Sequence, residues 1–409
     1  MIPGNEDGVA SSELESRKAN PTLQIFAVFL CGVIAFLDLY CTQPLLPLLS
    51  KAFQASEASV SLTVSASTLG VAFSAAMLAM FGERLNRKKA IVGSMTALAV
   101  CALLTATSTT LHELIAWRLL QGLVTPGIFI ITIAYVTEEW PALQVPKTMS
   151  FYVGGTVFGG FMGRVIGGSV SSHTSWRWVF VLLGLLGLMG AAVTQRLLRP
   201  SRAKKPVVKS SFLLEPVWDN TRNPRLMATF LIGFCMLFTL VSTFSYITFY
   251  LAAAPFSLST QQLSWLFAVY LCGLFATLAA GRVLARIGLR RGMLGAIGIG
   301  LLGIALTLVH VLGVVALGLA LVGSCVFIAQ TCANSFLRDA APGHARVAAA
   351  GMYICSYYIG GTVGGVQPGL LWRYGGWPGC VALTGGFLVV AGLITFFGWS
   401  NKRRDPIPL

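Results

Sequence analysis

Tyr152-Val-Gly-Gly-Thr-Val157 and Tyr358-Ile-Gly-Gly-Thr-Val363 are almost the same six residues written twice in one chain. Each copy lies inside a glycine-rich apolar segment. Glu83-Arg-Leu-Asn-Arg-Lys-Lys89 and Ala285-Arg-Ile-Gly-Leu-Arg-Arg291 form a second echo at nearly the same offset, each behind a long hydrophobic run. A period of about 200 residues far exceeds a solenoid unit and predicts two homologous halves facing each other. In a membrane protein, two such halves enclose a path for a solute between them.

Composition supplies the membrane. Of 409 residues, 56% are hydrophobic and 11% charged, against roughly 25% charged in a soluble domain. Twelve apolar stretches, each long enough for a bilayer core of about 30 Å, are read at 22–49, 60–81, 90–109, 113–137, 148–171, 176–198, 226–251, 262–284, 292–312, 314–337, 346–371 and 377–399. Only the surroundings of His310 and Gly313 separate the ninth from the tenth. Backbone polar groups in lipid must be satisfied within their own segment, so the stretches are read as helices. The expected fold is an all-α integral membrane protein, with twelve transmembrane helices in two pseudo-symmetric six-helix bundles.

The expected organisation is a tail over 1–21, a bundle over 22–198, a linker over 199–225, a second bundle over 226–399 and a tail over 400–409. The linker is polar and carries Pro200, Pro206, Pro216 and Pro224. At roughly 25 residues it can join two bundles while letting them rock. No basic region precedes the first apolar run, so that run is expected to stay as a helix rather than be cleaved.

A formal charge of +15 invites a nucleic-acid reading, but its distribution opposes one. With both ends in the cytoplasm, only Lys51, Arg177 and Arg373 fall outside, and Arg118 and Arg164 fall within spans. The other twenty-four of the 29 basic residues lie on the cytoplasmic side. That asymmetry places both termini in the cytoplasm. The cluster Arg196, Arg199, Arg202, Lys204, Lys205 and Lys209 is read as an orientation signal beside lipid headgroups. Nine cysteines spread singly along the spans read as small packing residues. His112, His173, His310 and His344 lack metal-ligand spacing, so neither metal nor cofactor is expected. Loops are short and the spans hold no nucleophile–base pair, which argues against an enzyme.

Glu83-Arg84-x-Asn86-Arg87-Lys88 resembles the loop signature of the major facilitator superfamily, Gly-x-x-x-Asp-Arg-x-Gly-Arg-Lys. Ala79 stands for the first glycine, Glu83 for the aspartate and Asn86 for the inner glycine. Asn tolerates a left-handed backbone, so the last change is mild. The second copy keeps Gly281, Arg286, Gly288 and Arg290, with Ala285 at the acidic position. The resemblance implies the major facilitator fold and a monomer. It also implies conformational gating by Glu83, Arg84, Arg87, Lys88, Arg286 and Arg290 through charge contacts with neighbouring helix ends.

Leu114-x-x-x-Arg118-x-x-Gln121-Gly122 is similar to the buried-arginine motif of the same superfamily. An arginine inside a membrane costs at least ~2.5–3.5 kcal/mol, so it needs a function or a partner. Leu37-Asp38-x-x-x-x-x-Pro44-x-x-Pro47 resembles the first-helix signature of drug:proton antiporters and supplies a candidate partner. Asp38 is the only carboxylate well inside any span. It lies about sixteen residues along an outward-running span, and Arg118 about five along an inward-running one, so both sit in the outer half. Asp38 and Arg118 are the expected proton-coupling residues. A structural ion pair is the simpler alternative.

Gly155, Gly159, Gly163 and Gly167 fall at four-residue intervals and let two helices approach closely. The run resembles the antiporter motif Gly-x-x-x-Gly-Pro-x-x-Gly-Gly, with Arg164 where the proline is expected. Gly361 and Gly365 repeat the packing theme in the eleventh span. Tyr40-Cys-Thr-Gln-Pro-Leu-Leu-Pro47, Gly163-Arg164 before Trp176-Arg177-Trp178, and Ala254-Pro255-Phe256 are similar to strings in bacterial YnfM-like efflux carriers.

The resemblance implies a secondary transporter of the bacterial inner membrane, with two bundles rocking about a central site. Burial favours the neutral acid of Asp38 and Arg118 favours its carboxylate, so a change in hydration or distance can load and release a proton. Substrate contacts are expected from Tyr40, Gln43, Gln121, Thr125, Tyr152, Arg164, Tyr246, Tyr250, Gln330, Asn334 and Tyr357. The partners are then a proton, the bilayer and a small organic solute, drug-like or sugar-like. The rival is an organic-anion carrier that uses Arg118 and Arg164 without proton antiport. A non-transporting scaffold or receptor fits less well, since it needs no buried charges.

Overall fold

A computed structural model describes residues 21–81, 85–201, 215–341 and 346–399. Its twelve membrane passes are labelled α1–α12. In the first half they are α1 (Pro21–Phe53), α2 (Glu57–Phe81), α3 (Arg87–Ala106), α4 (Leu111–Glu139), α5 (Val145–His173) and α6 (Trp176–Leu197). The second half holds α7 (Pro224–Ala252), α8 (Thr260–Leu266 with Val269–Ile287), α9 (Leu289–Leu306), α10 (Leu312–Ala340) and α11 (Arg346–Val366). Pro368–Gly398 contains the last turn between passes. Gly376 there has φ 55° and ψ −144°, so 368–375 extends α11 and 377–398 forms α12. The linker carries a short helix over Glu215–Arg222.

Several passes are broken, and the breaks have local causes. Along α1 the α-helix stops at Leu39, and a 3-10 turn over Gln43–Leu45 leads into Leu46–Phe53. Pro44 has no N–H, and its ring crowds the carbonyl four residues earlier, so the regular ladder cannot run through. Pro126 interrupts α4 in the same way, between Val124 and Pro126.

Packing follows the sequence repeat. In the first bundle α1 packs on α5, α2 on α4 and α3 on α6; in the second, α7 packs on α11, α8 on α10 and α9 on α12. Between the bundles, α2 packs on α11 and the start of α8 on α5. These two contacts exchange under the same pseudo-twofold relation.

Glycines set the tightest approach. A Cβ at Gly155, Gly159, Gly163 or Gly167 would meet the carbonyl oxygen of Phe29, Val33, Leu37 or Cys41 in turn. Four glycines on α5 thus ride along four carbonyls of α1. On α11 the equivalent face is Gly360 and Gly364, which abut the carbonyls of Phe234 and Phe238 on α7. Gly365 points instead toward Ser65 of α2, across the bundle boundary, and Gly361 lies between Leu237 of α7 and Thr68 of α2.

The bundles meet over the half away from the termini. Ala58 touches Gly369, Ser65 touches Gly365, and Thr68 shares a 3.1 Å hydroxyl hydrogen bond with Thr362. On the opposite flank, Gly168 abuts Ser264.

Candidate functional site

The break in α1 frees main-chain carbonyls, and Arg118 takes them. Its Nη1 donates to the Asp38 carbonyl at 3.1 Å, Nη2 to the Leu39 carbonyl at 2.6 Å, and Nε to the Thr63 carbonyl at 3.3 Å. Nη1 also pairs with Asp38 Oδ2 at 2.9 Å and donates to Gln121 Oε1 at 2.6 Å. Gln121 passes the chain on, from Nε2 to Thr105 Oγ1 at 3.2 Å. Both charges are buried inside the first bundle. Asp38 Oδ1 has no hydrogen-bond partner among the described residues. The carboxyl borders a small void of about 10 Å³ between α1, α3 and α6, lined by Ile34, Leu98, Ala102 and Leu183.

A larger cavity of about 160 Å³ lies one helical turn away, between the two bundles. Phe36 and Tyr40 reach it from α1, Thr156, Gly160 and Arg164 from α5, Leu240 from α7, and Tyr270 from α8. Phe327 and Gln330 of α10 and Tyr357 and Tyr358 of α11 complete it. Arg164 donates through Nε to Gln43 Oε1 at 2.9 Å and through Nη1 to the Gly160 carbonyl at 2.6 Å. Its guanidinium lies over the rings of Tyr270, Tyr40 and Phe267 at 4.3, 4.9 and 5.0 Å. Among the described residues Arg164 forms no ion pair. Gln43 then reaches the other bundle, from Nε2 to Ser245 Oγ at 3.4 Å.

Of the residues chosen from sequence, Tyr40, Arg164, Gln330 and Tyr357 line the cavity, and Gln43 braces it. Others lie elsewhere. Gln121 serves Arg118, and the Thr125 hydroxyl donates back to the Gln121 carbonyl at 2.7 Å. Tyr152 is anchored to the Phe129 carbonyl at 3.2 Å, and Tyr246 to the Gly365 carbonyl at 3.0 Å. Tyr250 stacks on Trp377 at 5.7 Å, and Asn334 is exposed. Arg118 lies behind α1, outside the cavity lining. Phe36, Tyr270, Phe327 and Tyr358 were not anticipated. Tyr358 carried a signal, as the partner of Tyr152 in the repeat; Tyr270 belongs to no motif.

Of the expected gating residues, Glu83 and Arg84 lie outside the described residues. Arg87 pairs with Glu138 at 2.9 Å, and Lys88 donates to the Leu198 carbonyl at 2.6 Å. Arg290 donates to the Phe396 carbonyl at 2.6 Å. Lys88 at the start of α3 therefore caps the end of α6, as Arg290 at the start of α9 caps α12. A cation at a helix C-terminus satisfies orphan carbonyls and complements the dipole. Arg286 is exposed near the end of α8.

Two pseudo-symmetric six-helix bundles around a shared cavity, with charges buried within the spans, are the architecture of a secondary transporter. The chain belongs to the Major Facilitator Superfamily, whose family model matches residues 28–257 and 241–408. It is 31% identical to the uncharacterized MFS-type transporter YybF of Bacillus subtilis, over 92% of this chain and 93% of that protein. It is 30% identical to the inner membrane transport protein YnfM of Escherichia coli, over 90% of this chain and 88% of YnfM. A bacterial homolog of the human lysosomal transporter Spinster, in an inward-facing and unoccupied conformation, superimposes with a TM-score of 0.75 at 17% identity, covering 92% and 96% of the two chains. The protein is thus a multi-pass membrane transporter for small solutes.

Proposed function

We propose that the protein is a proton-coupled secondary transporter of the bacterial inner membrane, exporting a small organic solute by alternating access. Asp38 carries the proton, Arg118 is its partner, and the cavity beside Tyr40 and Arg164 holds the solute. One observation carries this reading: Arg118 grips the Asp38 carboxylate and the carbonyls at the α1 break together. Protonating Asp38 removes the charge from that grip. The break it loosens leads directly into Tyr40 and Gln43, which border the cavity. Proton binding and solute access thereby share one hinge.

The contacts between bundles lie on the side away from the termini. With both termini in the cytoplasm, as the basic asymmetry supports, this conformation is closed to the outside. One charge moving through ~100 mV supplies ~2.3 kcal/mol, enough for roughly a fifty-fold solute gradient. One carboxylate suffices.

The test is solute-dependent proton flux in liposomes holding a trapped pH dye, with wild type beside Asp38→Asn. Flux that vanishes in the variant upholds the mechanism. Equal flux in both refutes it.

A further inference from the structure

The polar groups around the large cavity are not balanced. Arg164 is 1% exposed, yet its Nη2 has no hydrogen-bond partner among the described residues. The hydroxyl of Tyr270, whose ring lies 4.3 Å from the same guanidinium, has none either. Both residues line the cavity. A buried donor left unpaired costs about 1–3 kcal/mol, and more when it is charged. The three rings around Arg164 hold the cation in place, but they do not neutralise it. Asp38, the one carboxylate buried among the described residues, is already committed to Arg118.

We infer that the cavity binds a small organic carboxylate, with Arg164 Nη2 and the Tyr270 hydroxyl receiving its two oxygens. This rests on the cavity being the transport site proposed above. One unpaired cation calls for a monoanion; a phosphate dianion would leave a net charge buried. Two free donors match the two oxygens of a carboxylate, and hydrogen bonds to an ionised acceptor are the strong ones. Phe36, Leu240 and Phe327 offer an apolar wall for the rest of the molecule. A volume near 160 Å³ holds a body about the size of one ring. An organic cation is repelled by the same arginine.

Benzoate and its neutral analogue benzamide separate charge from shape. The full chain in lipid nanodiscs is titrated with each by calorimetry, for wild type, Arg164→Gln, Arg164→Lys and Tyr270→Phe. Wild type binds benzoate at least ~10-fold more tightly than benzamide, and Arg164→Gln erases that preference. Tyr270→Phe, which keeps the ring over Arg164, weakens benzoate by several-fold and leaves benzamide as in wild type. Arg164→Lys retains a preference for the anion, which shows that an intact fold accompanies loss of the arginine. Benzamide binding as well as benzoate, absence of benzoate binding to wild type, or an undiminished preference in Arg164→Gln overturns the inference. Coupling is read separately, as proton flux in Asp38→Asn. Arg164-dependent benzoate binding alongside unchanged flux in that variant refutes the proton mechanism and upholds the carboxylate site.

Discussion

Arg118 holds Asp38 at two points, the carboxylate oxygen at 2.9 Å and the main-chain carbonyl at 3.1 Å. One guanidinium thus ties a charge to the backbone of a broken helix. Removing one member of a buried pair leaves the other uncompensated, at about 3–5 kcal/mol. Asp38→Ala and Arg118→Ala are each expected to lower the thermal unfolding midpoint strongly. The charge-free double variant Asp38→Ala/Arg118→Ala should be less destabilised than the single changes combined, with a coupling of about 1–3 kcal/mol. Unfolding of the four proteins in one detergent checks this. A double variant that is stable but shows no proton flux would separate the structural role of the pair from its coupling role.

Gly376 lies where the chain reverses between α11 and α12, with φ 55° and ψ −144°. Few residues other than glycine adopt that region. Gly376→Ala is expected to cost about 1–3 kcal/mol of stability, although nothing lies within 4 Å of the added carbon. Gly375 next to it also has open space but no positive φ. Gly375→Ala should be neutral or slightly stabilising. Parallel melts of the two variants compare backbone strain directly, with side-chain crowding absent from both.

The sequence made the bundles legible because lipid imposes a length and a polarity that residues cannot hide. The glycines of α5 at every fourth residue announced a close helix contact in the sequence, but not that α1 is the partner. The second copy shows the limit. Gly155 and Gly361 occupy the same place in the repeated hexapeptide, yet Gly155 faces α1 whereas Gly361 lies against Leu237 of α7 and Thr68 of α2. One residue turns a helix by 100°. A sequence repeat therefore fixes which helices correspond more securely than which faces do. The cavity was half legible. Tyr40 and Arg164 belong to motifs, but Tyr270 reaches the site through the placement of α8. Tyr246 and Tyr250 looked alike in sequence and were drawn instead into packing within the second bundle and its outer end.

Arg87 meets Glu138 through two hydrogen bonds, Nε to Oε2 at 3.2 Å and Nη2 to Oε1 at 2.9 Å. The geometry is bidentate, but the Arg87 and Glu138 side chains remain 11% and 27% exposed. Such a pair contributes about 1 kcal/mol or less once solvent screening is allowed for. Arg87→Ala and Glu138→Ala should each lower stability by no more than that, and the swap Arg87→Glu/Glu138→Arg should recover part of it. A much larger loss of transport than of stability in the single variants would point to gating. Transport and melting measured on the same preparations decide between the two.

Gly163 and Gly365 are both closely packed, and the expected consequences of filling them differ. A side chain at Gly163 would strike the Leu37 carbonyl within one bundle; a side chain at Gly365 would strike Ser65 of the other bundle. Overpacking costs about 1–3 kcal/mol in either place. Gly163→Val has no relaxed state to escape to if the bundles rock as units, because α1 and α5 pack within one bundle, so it should reduce stability. Gly365→Val penalises only the conformation in which α2 and α11 touch. It should shift the equilibrium about 5- to 150-fold toward the state in which they part. Spin labels replacing Lys51 and Arg373, both exposed, report the separation in a cysteine-free background. The expected result is a longer-distance population in Gly365→Val and an unchanged distribution in Gly163→Val. An unchanged distance in Gly365→Val, with a lowered melting point, would mean that the α2–α11 contact is a permanent part of the fold and not a gate.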